Sequence, residues 1–235
     1  MLLLQKPQLS RFSPCTYLPD RRCRFEYFFA IDLGARDLED LLCSGWRKFG
    51  EYYFRPNCGD CRSCVPLRII VPEFRPSKGQ RRVMRSCADI RVRFVEPDYR
   101  DEIFEIYRDH SLHRFGKESD PDEFIAAFYT RSCPSIQSEY YLDEELIAVG
   151  FIDVGSEGMS SVYFVYKTAY DAYRLGTYSV IKEVEHAASC GLKYYYLGYF
   201  IEDNRSMAYK WHFHPHETYD WTAGRWIREG KESVE

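Results

Sequence analysis

The sequence predicts an α+β fold, an antiparallel-rich sheet with a crossing helix, behind a smaller cysteine-bearing N-terminal domain. Three observations carry this. Beyond residue 93, two strand patterns joined by a tight turn are followed by strand, helix, strand and helix patterns, the order of a sheet with a helix packed across it. In the first 93 residues turn formers dominate, and Cys58, Cys61 and Cys64 stand at CxxC spacing. The charge also changes sign near Arg93: residues 47–93 hold 12 Lys/Arg against 4 Asp/Glu, a net of +8, whereas 94–160 hold 5 against 16, a net of −11. The expected domains are therefore 1–93 and 94–235.

In the first part Pro14, Pro19, Gly45, Gly50, Pro56, Gly59, Pro66, Pro72, Pro76 and Gly79 exclude a long helix, because proline fixes φ and removes a donor. Short strands are expected at 51–54 and 67–71, and one or two helical turns at 37–42. In the second part Ile90, Val92 and Phe94 alternate with Arg91 and Arg93, a period-two strand. Residues 101–115 read as a helix with acids leading, Ile103, Phe104 and Tyr107 on one face, and Gly116 closing it. Asp120-Pro121-Asp122-Glu123 supplies an N-cap, an N1 proline and an N3 acid for a helix to about 131. Residues 136–142 and 146–154 flank a turn at 143–145, a hairpin. A strand follows at 160–166. A helix at 177–190 has Val180, Ile181, Val184, Ala187 and Ala188 on one face and Gly191 at its end. Then come a strand at 193–199 and a short helix from Asn204 to about 211.

The chain is 235 residues long, 45% hydrophobic and 17% aromatic, enough for a packed core and against disorder. Its apolar start, Leu2 to Leu4, is too short for a signal peptide or a membrane span, so a cytoplasmic protein without membrane contact is expected. Nine cysteines without an export signal read as reduced thiols or metal ligands. A net charge of −4 overall, with one strongly basic segment, suits a polyanionic partner met at one place.

Several segments together resemble the arginyl-tRNA–protein transferases, and more closely the short bacterial aspartate/glutamate leucyltransferases. They are CTYLP at 15–19, GWR at 45–47, YFRP at 53–56, CGDCRSCVPLR at 58–68, QRR at 80–82, SSVYFVY at 160–166, LGTYS at 175–179, YYYLGYFI at 194–201, MAYK at 207–210 and FHP at 213–215. They keep the family order and span nearly the whole chain. The resemblance implies an acetyltransferase-like (GNAT-like) C-terminal domain. It implies transfer of leucine from leucyl-tRNA to the α-amine of proteins beginning with Asp or Glu, which creates an N-degron. No cofactor is required for that chemistry, and a monomer is expected. The main alternative is arginine as donor. A non-catalytic, zinc-dependent tRNA-binding module would leave the C-terminal domain idle, and an acetyl-CoA N-acetyltransferase is disfavoured by the single glycine of LGTYS.

An aminoacyl ester is already activated, so the enzyme has mainly to align an amine and a carbonyl, worth roughly 7–11 kcal/mol in favourable cases. An α-amine of pKa about 7.7–8 is partly neutral near pH 7, and no strong base is needed. Tyr163, Tyr166 and Tyr209 are the catalytic candidates for steadying the oxyanion and relaying a proton, with packing aromatics as the bland reading. Arg174, Gly176 and Thr177 precede a helix N-terminus where acetyltransferase-like folds hold phosphate. With Lys78, Arg81, Arg82, Arg85 and Lys210 they are the tRNA-binding candidates. Arg55, Arg68, Arg81 and Arg82 are candidates for the acceptor carboxylate. Arginine outnumbers lysine ten to two over 47–93, the bias expected where a planar fork meets a planar anion.

Cys58, Cys61 and Cys64, with Cys15 as fourth, could hold zinc or an iron–sulfur cluster. The eukaryotic relatives' paired N-terminal cysteines are incomplete here, since Leu18 stands three residues after Cys15. His212, His214 and His216 alternate, and read as packing or surface histidines rather than ligands. Lys167-Thr168 stands where the family has Asp-Pro, which puts donor preference in question.

Overall fold

A computed structural model of the chain describes residues 1–229; residues 230–235, the tail of the expected C-terminal domain, lie outside the described residues. The chain opens with β1 (Leu2–Leu9), the short β2 (Ser13–Pro14) and β3 (Arg22–Cys23), β4 (Phe25–Ile31), α1 (Ala35–Cys43), β5 (Arg47–Phe49) and β6 (Tyr52–Pro56). Strands β1, β4, β6 and β5 form an antiparallel sheet in that order. Phe28 and Ala30 of β4 and Tyr53 of β6 bury their inner faces against Leu38 and Leu42, one helical turn apart on α1, and against Trp46. The strand expected at 51–54 and the helix at 37–42 are present. β1, β4 and β5 were not anticipated: β1 is exposed at nearly every position and β4 is almost continuously apolar, so neither shows a clean period of two.

The second sheet has eight strands. β7 (Val65–Ile70), α2 (Lys78–Ser86), β8 (Ile90–Val95), α3 (Asp101–Phe115), α4 (Pro121–Phe128), β9 (Ser135–Leu142), β10 (Glu145–Val154), β11 (Gly158–Tyr166), α5 (Leu175–Ser189), β12 (Tyr194–Phe200), α6 (Arg205–Ala208), β13 (His216–Asp220) and β14 (Arg225–Arg228) follow in chain order. The strand order is β14-β13-β7-β12-β11-β10-β9-β8, antiparallel throughout except for β11 and β12. β10 serves two layers, its alternation interrupted by a register slip between Leu146 and Ala148. Ile147 and Ala148 join the cluster that includes Leu175 and Tyr178 of α5; Val149 and Phe151 join Ile103, Ile106 and Phe124 of α3 and α4. This is the α+β, acetyltransferase-like layout that the C-terminal motifs implied.

The two sheets do not divide the chain at residue 93. β7 pairs with β12 and β13, so residues 65–70 belong to the larger sheet. The charge boundary follows surface composition, whereas sheet membership follows pairing partners far along the chain. The proline-rich stretch also holds α2, a nine-residue helix. Its prolines stop just short of Ser77, whose Oγ accepts from the Gln80 amide at 3.2 Å while Gln80 Oε1 accepts from the Ser77 amide at 2.7 Å. The β13–β14 hairpin was also not anticipated. Among the described residues no helix is long and apolar enough to cross a membrane.

Candidate functional site

The one parallel pair of the large sheet parts early. β11 and β12 are paired only over Gly158–Ser160 with Tyr194–Tyr196. Beyond that β11 continues along β10 to Tyr166, and β12 along β7 to Phe200. Each strand slips register where they separate, β11 opposite Phe151 and Ile152, β12 between Tyr196 and Gly198. Gly198 has φ of 88°, a conformation that glycine adopts without a Cβ penalty. A wedge-shaped gap with unpaired inner strand edges results.

Two cations reach into it. Arg47, at the start of β5, donates from Nη1 to Ser160 Oγ at 2.9 Å and from Nη2 to the Ser161 carbonyl on the β11 lip. Lys210, on the 3-10 turn Tyr209–His212, is buried and donates to the Tyr199 carbonyl on the β12 lip at 2.9 Å. Burial first, and then the neighbouring Arg47, pushes Lys210 down to about 7. Burial also lowers Arg47. Around them stand Tyr199, whose hydroxyl donates to the Gly45 carbonyl at 3.1 Å, and Tyr17, whose carbonyl accepts from Asn204 Nδ2 at 3.0 Å. Burial raises both phenols and pushes the Cys64 thiol up to about 12, so all three are neutral near pH 7.

The catalytic candidates lie on two faces. Tyr163 and Tyr166 are three residues apart on a strand, an odd spacing that sends them to opposite sides. Tyr163 packs its half-buried ring on Phe128 and Tyr107, ring centroids at 5.5 and 6.1 Å, and burial pushes its phenol up to about 12. Tyr166 is buried on the other side. Its hydroxyl donates to Asp171 Oδ1 at 2.7 Å and accepts from Arg114, so it is occupied within the fold. Tyr209 is 36% exposed, with its phenol raised to about 12 by burial.

The arginine candidates also separate. Arg55 pairs with Glu26 at 2.8 Å and donates to the Ser44 carbonyl at 3.3 Å. Arg68 is buried between the rings of Tyr194 and Trp226, at 3.6 and 4.4 Å, and pairs with Glu217 at 2.6 Å. Both forks are filled, and these residues join sheet elements. Lys78, Arg81, Arg82 and Arg85 instead share the exposed face of α2, opposite the buried Gln80 and Val83. Arg174, in the left-handed region, is exposed at the start of α5, and Gly176 faces open space. Cys87 Sγ at the end of α2 donates to the Tyr173 carbonyl at 3.3 Å, and Gln80 Nε2 donates to the His212 carbonyl at 3.1 Å. The basic helix thus runs between the α5 N-terminus and the turn carrying Lys210. Lys210 itself is in the gap rather than on that surface.

The thiols do not present a metal-ligand set as placed. Among the described residues no three His, Cys, Asp or Glu side chains are grouped to hold an ion. Cys58 Sγ sits 3.5 Å from the amide and the carbonyl of Arg24, and Cys61 donates to Ser63 Oγ at 3.6 Å. His216 is buried with Nδ1 2.9 Å from the Phe213 carbonyl, and its ring stacks on His214 at 4.5 Å.

Two features escaped the sequence reading. Arg47 stands in the GWR segment, but only its 113-residue leap to Ser160 singles it out. Glu183 of α5 is fully enclosed, accepting from Ser138 Oγ at 3.0 Å, Tyr140 at 3.4 Å and Tyr195, and burial raises it to about 7. Gly150 leaves the space, since a Cβ there would lie 2.6 Å from Glu183 Oε1.

Comparison with known proteins bears on the whole chain. The profile described as "Arginine-tRNA-protein transferase, N terminus" matches residues 13–82, and "Arginine-tRNA-protein transferase, C terminus" matches 102–220. The chain is 36% identical to an aspartate/glutamate leucyltransferase of Chromobacterium violaceum, covering 91% of this chain and 89% of that protein. It is 32% identical to one of Campylobacter jejuni, covering 86% and 88%. Among solved structures it resembles FemX with a TM-score of 0.50 at 9% identity, covering 74% of this chain and 63% of FemX, a likeness of fold alone.

Proposed function

This chain belongs to the arginine-tRNA–protein transferase family, and from that premise we propose that it is an aminoacyltransferase moving leucine from leucyl-tRNA to the α-amine of proteins that begin with Asp or Glu. The observation that carries this reading is the gap between β11 and β12, with Arg47 and Lys210 on its lips, opening beside the basic face of α2. The tRNA backbone runs along Lys78, Arg81, Arg82, Arg85 and Arg174, and its 3′ end brings the ester into the gap. The amine attacks the ester carbonyl and loses a proton. The C–N bond forms, the bond to the ribose oxygen breaks, and that oxygen takes up a proton. Tyr163 and Tyr209 are the hydroxyls available to steady the oxyanion and pass that proton.

The test is to incubate the protein with leucyl- or arginyl-tRNA and peptides beginning Asp, Glu, Arg or Ala, and to weigh the products. One added leucyl residue on the Asp and Glu peptides is expected. Mass gain from arginyl-tRNA alone overturns the choice of donor, and no gain in any combination overturns the reading.

A further inference from the structure

The outer face of the four-stranded sheet is a grid of aromatic rings. Directly opposed residues share a face, so the registers of β4, β6 and β5 set Tyr27, Phe54 and Arg47 in one row and Phe29, Tyr52 and Phe49 in the next, with Phe25 beyond Tyr27. The rings touch in sequence. Phe25 meets Phe54 at 5.6 Å between centroids, Phe54 meets Tyr52 at 5.4 Å and Phe49 at 5.7 Å, and Tyr52 meets Tyr27 and Phe29 at 5.4 Å. All of them are half-buried, and among the described residues none joins the buried clusters of the core. Core packing therefore accounts for the other face of this sheet, Phe28, Ala30 and Tyr53, and leaves this one partly in water. Contiguous aromatic surface of this kind marks a docking site.

The grid leads to the gap. Its first row ends on Arg47, whose guanidinium reaches Ser160 and Ser161 on the β11 lip. Its second row ends on Phe49, which meets Phe128 of α4 at 5.8 Å, and Phe128 stacks on Tyr163 at 5.5 Å. Phe128 and Tyr163 belong to the α3 and α4 layer of the large sheet, whereas α2 and α5, with the exposed cations for tRNA, pack on the opposite face. We propose that the grid receives the polypeptide that follows the acceptor's N-terminal residue, laid over the rings as an extended strand. This rests on the transfer reading above: the acceptor's amine must meet the ester in the gap, and its chain leaves on the face that tRNA does not cover. An RNA strand is the poorer occupant, because stacked bases need cations that track the backbone. The rows of rings end on a single cation, Arg47, already committed to β11. From β5 across β6 and β4 to β1 is about 14 Å of strand spacing, which roughly four extended residues span. Aliphatic and aromatic side chains at about the third to fifth acceptor positions are the chemistry that such rings select.

The experiment uses peptides that share Asp-Ala at their start and continue Gly-Gly-Gly or Leu-Phe-Leu. They are compared on wild type, Tyr27→Thr and Phe54→Thr, threonine keeping the strand preference, after thermal melts establish folding. Peptide affinity is titrated without tRNA, and kcat/KM is measured with leucyl-tRNA. Wild type should favour the Leu-Phe-Leu peptide by about tenfold or more, carried by the peptide KM. Each variant should lower that ratio by about threefold or more, since one ring of the row is lost. If Phe54→Thr does not fold, Tyr27→Thr, one strand farther from the gap, carries the comparison. Equal use of the two peptides by wild type, or an undiminished ratio in a folded variant, overturns the proposal. A loss residing in the leucyl-tRNA KM puts RNA on the grid, and a dimer that sedimentation velocity finds in wild type but not in the variants puts a second copy there; either overturns it. The tRNA-free titration separates these outcomes from failure of the transfer reading, because it needs no turnover.

Discussion

Replacing Lys78, Arg81, Arg82 and Arg85 with glutamine should flatten the salt dependence of tRNA binding without unfolding the protein. The four residues recur at i, i+3, i+4 and i+7 on α2, all exposed and, among the described residues, none paired with an acid; the inner face keeps Gln80, Val83 and the capping box of Ser77. The positions span about 10 Å of helix, and surface changes of this kind usually cost within about 0.5 kcal/mol each. Each cation meeting a phosphate contributes about 0.7–0.9 to the slope of log K against log salt, so losing four flattens it by roughly 3. Between 50 and 200 mM salt the wild type should then lose about 60-fold more affinity than the variant. Fluorescence anisotropy of labelled leucyl-tRNA over a salt series reads this directly. A slope equal to that of wild type would refute a phosphate role for α2. In transfer assays, replacing Arg81 or Arg82 should cost more activity than replacing Cys61; the reverse order would place the segment's function in its thiols.

Two predictions concern stability. Burial raises Glu183 to about 7 from an ordinary 4.5, so the native state keeps this proton longer than the unfolded chain. Its favourable effect is complete below the usual carboxyl range and is lost as pH rises toward and through 7, a swing of roughly 3 kcal/mol. Glu183→Gln should remove that part of the pH dependence, read from urea midpoints at pH 5 and pH 8; an unchanged difference between the two refutes it. Gly50 and Gly59 both have positive φ, 54° and 69°, but a Cβ on Gly50 meets the Ala126 carbonyl while one on Gly59 meets nothing within 4 Å. Gly50→Ala should cost more than about 3 kcal/mol and Gly59→Ala about 1 kcal/mol, by thermal denaturation. Equal losses would show that backbone strain alone, rather than the clash with α4, sets the effect.

The elements read most accurately carry their own local signals. The helix expected at 101–115 is α3 to the residue, because its leading acids and Gly116 act within one turn of each end. The hairpin at 136–154 was legible because a turn between two apolar runs is also local, although the turn is two residues, Asp143 and Glu144, rather than the expected three. α4 stops at Phe128, short of the expected 131, although Asp120 caps it as read, accepting from the Glu123 amide at 2.9 Å. β1, β4 and β5 were missed because their pairing partners, rather than their own patterns, make them strands.

By itself the sequence determined the fold class, the family through its ordered motifs, and the basic segment whose free cations cover α2. Each follows from residue types at short spacing. Tertiary structure decided which members of those motifs are available for chemistry. Glu26 and Glu217, 29 and 149 residues away, fill the forks of Arg55 and Arg68. Strand alternation puts Tyr163 and Tyr166 on opposite faces, and the turn after β12 buries Lys210 beside Arg47. A side chain's availability is the sum of what long-range packing brings to it, and at the parting of β11 and β12 it leaves Arg47 and Lys210 buried with hydrogen bonds to neutral groups.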